Sequence, residues 1–113
     1  MHRGVGCGIQ DLVIFMDRVF EFQGLQFEWD EDKNASNQRK HGVKFEEGAE
    51  VFFDAASVFD EASVGGERRD SVIGFSLSAR VLLVVYIERG ERTRIISARR
   101  ATVQERNDYE KNS

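Results

Sequence analysis

The run Val81-Leu82-Leu83-Val84-Val85-Tyr86-Ile87 shows no polar alternation, and a strand of that kind belongs at the centre of a sheet with apolar cover on both faces. The rest of the chain must therefore supply flanking strands and at least one layer of helices. Three further β-rich runs are present: Ser57 to Ala62, Ser71 to Leu77 and Arg92 to Ala98. The breaks at Gly65-Gly66, Ser78-Ala79-Arg80 and Arg89-Gly90-Glu91 are short enough for antiparallel hairpins.

Earlier in the chain, Phe20 and Phe22 alternate with Glu21 and Gln23, and Leu25, Phe27 and Trp29 alternate with Gln26 and Glu28. This period of two predicts a strand, bulged or turned at Gly24. Asp30 is a good N-cap for a helix reaching Lys40, and Gly42 after His41 is its left-handed stop. Because that helix is polar, it is expected on the surface, with Ala35 and the stems of Lys33 and Arg39 against the core. Phe45, Ala49, Phe52 and Phe53 mark a second helix, which Gly48 weakens. Thr102 and Glu105 have capping-box spacing and start a last helix that runs to about Lys111. The expected fold is α+β, in the order β-α-α-β-β-β-β-α, with a central antiparallel sheet and helices packed on it.

A chain of 113 residues holds one domain. Residues 20–113 read as that domain. Residues 1–19 read as a flexible or helical extension, glycine-rich to Gly8 and then with Ile9, Leu12, Val13 and Met16 at helical spacing; Met16 is an alternative start. A hydrophobic share of 41% with nine Phe excludes a disordered polar chain. No apolar run approaches the roughly 20 residues that cross a bilayer, and Asp17 and Arg18 interrupt the short run from Leu12, which argues against a signal peptide. The single cysteine, Cys7, excludes an intramolecular disulfide and a thiolate zinc site, and fits a reducing cytoplasm.

The net charge of −4 argues against a polyanion binder, yet the bases are unevenly placed. Arg80, Arg89, Arg92, Arg94, Arg99, Arg100 and Arg106 follow one another against only Glu88, Glu91 and Glu105, whereas acids dominate the segment before Arg80. Arginine matches phosphate oxygens with a bidentate fork. The alternative is a set of solvated strand arginines paired with Glu67, Glu88 and Glu91.

The run Phe27-Glu28-Trp29-Asp30, then Lys33, Asn34, Asn37, Lys40-His41-Gly42-Val43 and Phe45-Glu46-Glu47, carries a family resemblance. It continues through Glu88-Arg89, the stretch Arg94-Ile95-Ile96-Ser97-Ala98-Arg99-Arg100-Ala101-Thr102, Glu105-Arg106 and Tyr109-Glu110. Over roughly Phe27 to Glu110 the chain resembles the BrnT family of type II toxins. The resemblance implies a RelE-like fold and ribosome-independent RNA cleavage that arrests growth. It further implies neutralisation by a BrnA-like antitoxin whose ribbon-helix-helix domain binds DNA, so that DNA is met only through the antitoxin. Lys44 and Gly48 depart from the pattern, which often has a small hydroxyl and an alanine there.

Cleavage of RNA by its own 2′-hydroxyl needs proton transfer and positive charge around the phosphorane, which arginines with a histidine or carboxylate supply without metal or cofactor. Arg99 and Arg100 are placed at a strand-to-helix turn, where their charge joins the helix dipole; the structural alternative pairs them with Asp108 or Glu110. His41 ends a polar helix, where it serves either acid–base catalysis or capping. Glu88 is a candidate base, or else the cross-strand partner of Arg92. Lys40, Arg80 and Arg94 are candidates to line the RNA path, while Tyr109 reads as packing. The competing class is a catalytically inactive protein-binding module that docks an acidic partner through the arginine face. A metal-dependent nuclease ranks last, because Asp30, Glu31 and Asp32, adjacent at a helix start, cannot all face one ion.

Overall fold

The computed structural model describes residues 17–63 and 65–112. It opens with a hairpin, β1 (Asp17–Phe22) antiparallel to β2 (Leu25–Asp30), turning at Gln23 and Gly24 with φ of 51° and 87°. Two successive positive φ angles make a two-residue hairpin loop, so the one strand expected across Gly24 is two. Asp17, Arg18 and Val19 are therefore sheet residues and not part of an extension, while the helical spacing from Ile9 to Met16 lies outside the described residues.

There follow α1 (Glu31–His41), α2 (Phe45–Glu50), a 3-10 turn at Val51–Phe53, β3 (Val58–Glu61), β4 (Asp70–Phe75), β5 (Val81–Arg89), β6 (Arg92–Arg100) and α3 (Val103–Asn112). The sheet runs β1-β2-β6-β5-β4-β3. All neighbours are antiparallel except β2 and β6, which run parallel where Gln26, Phe27 and Glu28 meet Arg92, Thr93 and Arg94. The sheet is thus mixed where an antiparallel one was expected, because a pairing between strands so distant in sequence has no local signature; the additional strand comes from the turn at Gln23 and Gly24.

β5 lies inside the sheet as expected, but its two faces differ. Leu82, Val84 and Tyr86 are buried under α2 and the 3-10 turn, within a core that includes Phe27, Trp29, Phe45, Val51 and Ile95. Phe52 packs edge-on against Tyr86 at 4.9 Å, and Trp29 against Phe45 at 5.9 Å. Leu83, Val85 and Ile87 on the other face are only half-buried, so the second cover predicted by the apolar run is incomplete. That face carries α3, anchored where Tyr109 packs on Phe75 and donates to Asp54 Oδ2 at 2.6 Å.

The helix caps follow local rules. Asp30 accepts from the N–H groups of Asp32 and Lys33, and Gly42, at φ 70°, donates to the Gln38 carbonyl. Lys44 gives α2 no side-chain cap; Asn34 Oδ1 accepts from Phe45 N–H at 2.8 Å instead. At Gly48 a Cβ would lie 3.3 Å from Ala98 Cβ and 3.4 Å from Val84 Cγ2, so the glycine that reads as a weakness is what seats α2 on the sheet. α1 docks through polar groups, and Ala35, expected inside, is exposed. Buried Asn37 donates from Nδ2 to Ala98 O at 2.6 Å and Val43 O at 2.9 Å, and its Oδ1 accepts from Ala98 N–H at 3.2 Å. Its amide thereby stands in for a strand partner on the edge of β6 that β2 does not reach.

Candidate functional site

The late arginines fall at two ends of β6, about 20 Å apart at the usual strand rise. At the end leading into α3, Arg99 lies on the strand, opposite Leu83, and not in a turn. Its Nη1 and Nη2 donate to Glu105 Oε1 and Oε2, both at 2.9 Å, in a bidentate fork. The structural partner is thus Glu105, not Asp108 or Glu110. Glu105 also completes the capping box, accepting from Thr102 N–H at 2.9 Å while its own N–H donates to Thr102 Oγ1 at 3.1 Å. The Arg99 hydrogen bonds lead the causes that hold the Glu105 carboxyl down at about 2.

Arg80, just ahead of β5, donates from Nε to Glu47 Oε2 at 2.9 Å and from Nη2 to Glu47 Oε1 and, at 3.1 Å, to Gly42 O. Ser76 and Ser78 hydroxyls each donate to the same carboxylate at 2.8 Å. Led by the Arg80 hydrogen bond, these contacts bring Glu47 down to about 2. Arg80 therefore ties the end of α1 to α2 and to the β4–β5 turn, and its side chain, 25% exposed, is not a solvated arginine.

Arg100 ends β6 and is exposed; among the described residues its guanidinium has no carboxylate partner. With Arg80, Arg106, Ala79, Val81 and Ala101 it lines a cavity of about 220 Å³. Three arginines thus line one small space at the start of α3, where the helix dipole is positive; none of the lining residues is acidic, although Arg80 is paired with Glu47 and Arg106 lies 4.0 Å from Glu110. Gly42, whose carbonyl Arg80 holds, follows His41 directly, which brings the end of α1 alongside. Lys40 and His41 are exposed there and line a second groove with Lys33, Ser36, Asn37, Ile96 and Ser97. The structure therefore gathers Arg80, Arg100, Lys40 and His41 at one end and adds Arg106.

The other end of β6 is different. Arg94 Nη1 donates to Glu28 Oε2 at 2.9 Å and Nη2 to Asp17 Oδ1 at 3.2 Å. Arg89 and Arg92 also approach Glu28, each at 3.6 Å. Arg94 and Glu28 are 15% and 13% exposed, a partly buried network that locks the short parallel pairing. Glu88 does not join it: Glu88 faces the opposite side of the sheet, accepts from Thr93 Oγ1 at 3.0 Å, and makes no pair with Arg92. Neither Arg94 nor Glu88 belongs to the arginine cavity. Glu28, Glu47 and Glu105 are the partners that sequence reasoning missed; only Glu105, already marked by its cap spacing, had a local signal.

The molecule is a small α+β protein whose six-stranded mixed sheet leads, at the junction of β6 with α3, to a cavity lined by three arginines, of which Arg80 pairs with Glu47 and Arg106 lies 4.0 Å from Glu110. Residues 29–105 match the family model described as "Ribonuclease toxin, BrnT, of type II toxin-antitoxin system", and the chain belongs to that family. Among solved structures it is similar to the Brucella abortus ribonuclease toxin BrnT, with 26% identity and a TM-score of 0.51, over 66% of this chain and 92% of that one. No curated protein matches.

Proposed function

We propose that this toxin is a metal-independent, ribosome-independent endoribonuclease that seats a phosphodiester in the cavity of Arg80, Arg100 and Arg106. The observation that carries this reading is that three arginines line one space with no acidic lining residue, and that Arg100 among them has no carboxylate partner among the described residues. Arg100, free of any carboxylate among the described residues, meets the phosphate. Arg80, held by Glu47 and Gly42, presents its remaining edge in a fixed direction and loses little freedom on binding. In the reaction the ribose 2′-oxygen forms a bond to phosphorus, the bond from phosphorus to the 5′-oxygen breaks, and a 2′,3′-cyclic phosphate remains. One proton leaves the 2′-hydroxyl and another reaches the 5′-oxygen; His41 carries one of these transfers, and the arginines stabilise the phosphorane charge. Arg99 acts as a positioning residue by fixing the start of α3 through Glu105.

The same reading includes a RelE-like topology, action in the cytoplasm, and neutralisation by a BrnA-like ribbon-helix-helix antitoxin through which alone DNA is met. Purified protein incubated with total RNA tests it, with and without EDTA and with and without the neighbouring gene's product. Cleavage in EDTA that leaves cyclic or 3′-phosphate ends is the expected result, suppressed by the partner. Loss of cutting in EDTA would contradict it.

A further inference from the structure

The groove between α1 and the edge of β6 has a volume of about 220 Å³ and is lined by Lys33, Ser36, Lys40 and His41 on one side and by Ile96 and Ser97 on the other, with Asn37 at its floor. It lies where β2 has left β6 after Arg94 and where Asn37 bridges helix and strand at Ala98. The helix dipole accounts for Lys40 and His41 in the last turn of α1. It does not account for Lys33, which sits in the first turn, where the dipole favours carboxylates and disfavours an ammonium. Among the described residues Lys33 has no ion pair, and no lining residue of the groove is acidic. Lys33 and Lys40 are seven positions apart on one helix face, about 10 Å along the axis. Ser36 on the helix and Ile96 and Ser97 on β6 complete the lining.

We propose that this groove is a subsite for single-stranded RNA next to the cleaved linkage. In it Lys33 and Lys40 contact flanking phosphates, Ser36 and Ser97 bond ribose or base edges, and Ile96 packs on a base. It rests on the RNA-cleavage reading above and extends it to substrate positioning. Arg80, which lines the arginine cavity, holds the carbonyl of Gly42 at the end of α1, so the Lys40–His41 end of the groove lies next to an arginine of the cavity. A single-stranded substrate suits a groove of this volume, because unpaired bases can enter it while a duplex presents only its backbone.

The test uses a labelled 2′-O-methyl RNA oligonucleotide, which lacks the attacking hydroxyl and stays intact. Its binding is measured against salt concentration for the wild type, Lys33→Gln, Ser97→Ala and, as control, Arg92→Gln. Lys33→Gln should weaken binding and lower the logarithmic salt slope by about 0.7, the share of one phosphate contact on a single strand. Ser97→Ala should weaken binding without changing that slope. In cleavage of ordinary RNA both should raise KM and spare kcat. Unchanged affinity and slope in Lys33→Gln overturns the proposal, as does a wild type with no affinity for the oligonucleotide or a Lys33→Gln defect confined to antitoxin binding. Full cleavage by Arg100→Gln would instead strike at the cavity reading, leaving the groove to its own binding test.

Discussion

The two ends of β6 carry the same residue type and use it in opposite ways. Near its start, Arg94 is enclosed by Glu28 and Asp17, with Arg89 and Arg92 gathered on the same carboxylate. Near its end, Arg100 has no carboxylate partner among the described residues and lines, with Arg80 and Arg106, a cavity that has no acidic lining residue. An arginine matched to a partly buried carboxylate has its donors occupied and its charge offset, so it stabilises packing; one left unmatched beside a cavity keeps both for a ligand. Arg99 and Arg100, neighbours in sequence, fall on different sides of this division. A count of basic residues cannot see it.

The largest expected effect comes from breaking the seam at the open end. Asn37→Leu leaves the Ala98 N–H, the Ala98 carbonyl and the Val43 carbonyl without their side-chain partner, which should cost about 3 kcal/mol of stability. Because it also detaches α1 from β6, cleavage should fall with it; chemical denaturation and RNA cleavage on the same preparation check both. At the closed end, Glu28→Gln leaves Arg94 without its main counter-charge and should cost about 2 kcal/mol, between the values for exposed and buried pairs. Cleavage per folded molecule should stay unchanged there, and that contrast is what the comparison requires.

How much of this was legible in the sequence depends on range. The Asp30 cap, the Gly42 stop and the Thr102–Glu105 box span a few residues and were read correctly, since their partners lie within one turn. Gly24 was read as a bulge or a turn, and only the pairing of Phe22 with Leu25 decides for the turn. The closed arginine network was not legible, because Glu28 and Arg94 meet only through the parallel pairing of β2 with β6. For the same reason Arg80 read as a solvated candidate, although Glu47 on α2 holds it. Arg100 and His41 were named as candidates for chemistry, but that they share one end of the molecule follows from topology alone.

A smaller effect separates the paired arginines by pH. Glu47 and Glu105 are both held at about 2, against an ordinary carboxylate value of 4.5. A lowered folded-state value means stability that is fully present above the unfolded value and lost as pH falls through the folded one. The melting temperature should therefore drop between about pH 4.5 and 2, and Arg99→Gln, by releasing Glu105, should flatten part of that dependence. Thermal melts of both proteins across this range provide the check.

On the proposed reading Arg100, at one end of β6, serves the reaction, and the Arg94–Glu28 network at the other end holds the sheet. Cleavage rate and melting temperature measured together on Arg100→Gln and Arg94→Gln test it most directly. Arg100→Gln should lose about 10²- to 10³-fold in rate, as for one lost electrostatic stabiliser, and keep its melting temperature, while Arg94→Gln should melt several degrees lower and cut at the normal rate when folded. The reverse pattern, with Arg94→Gln inactive though stable and Arg100→Gln fully active, would contradict the account.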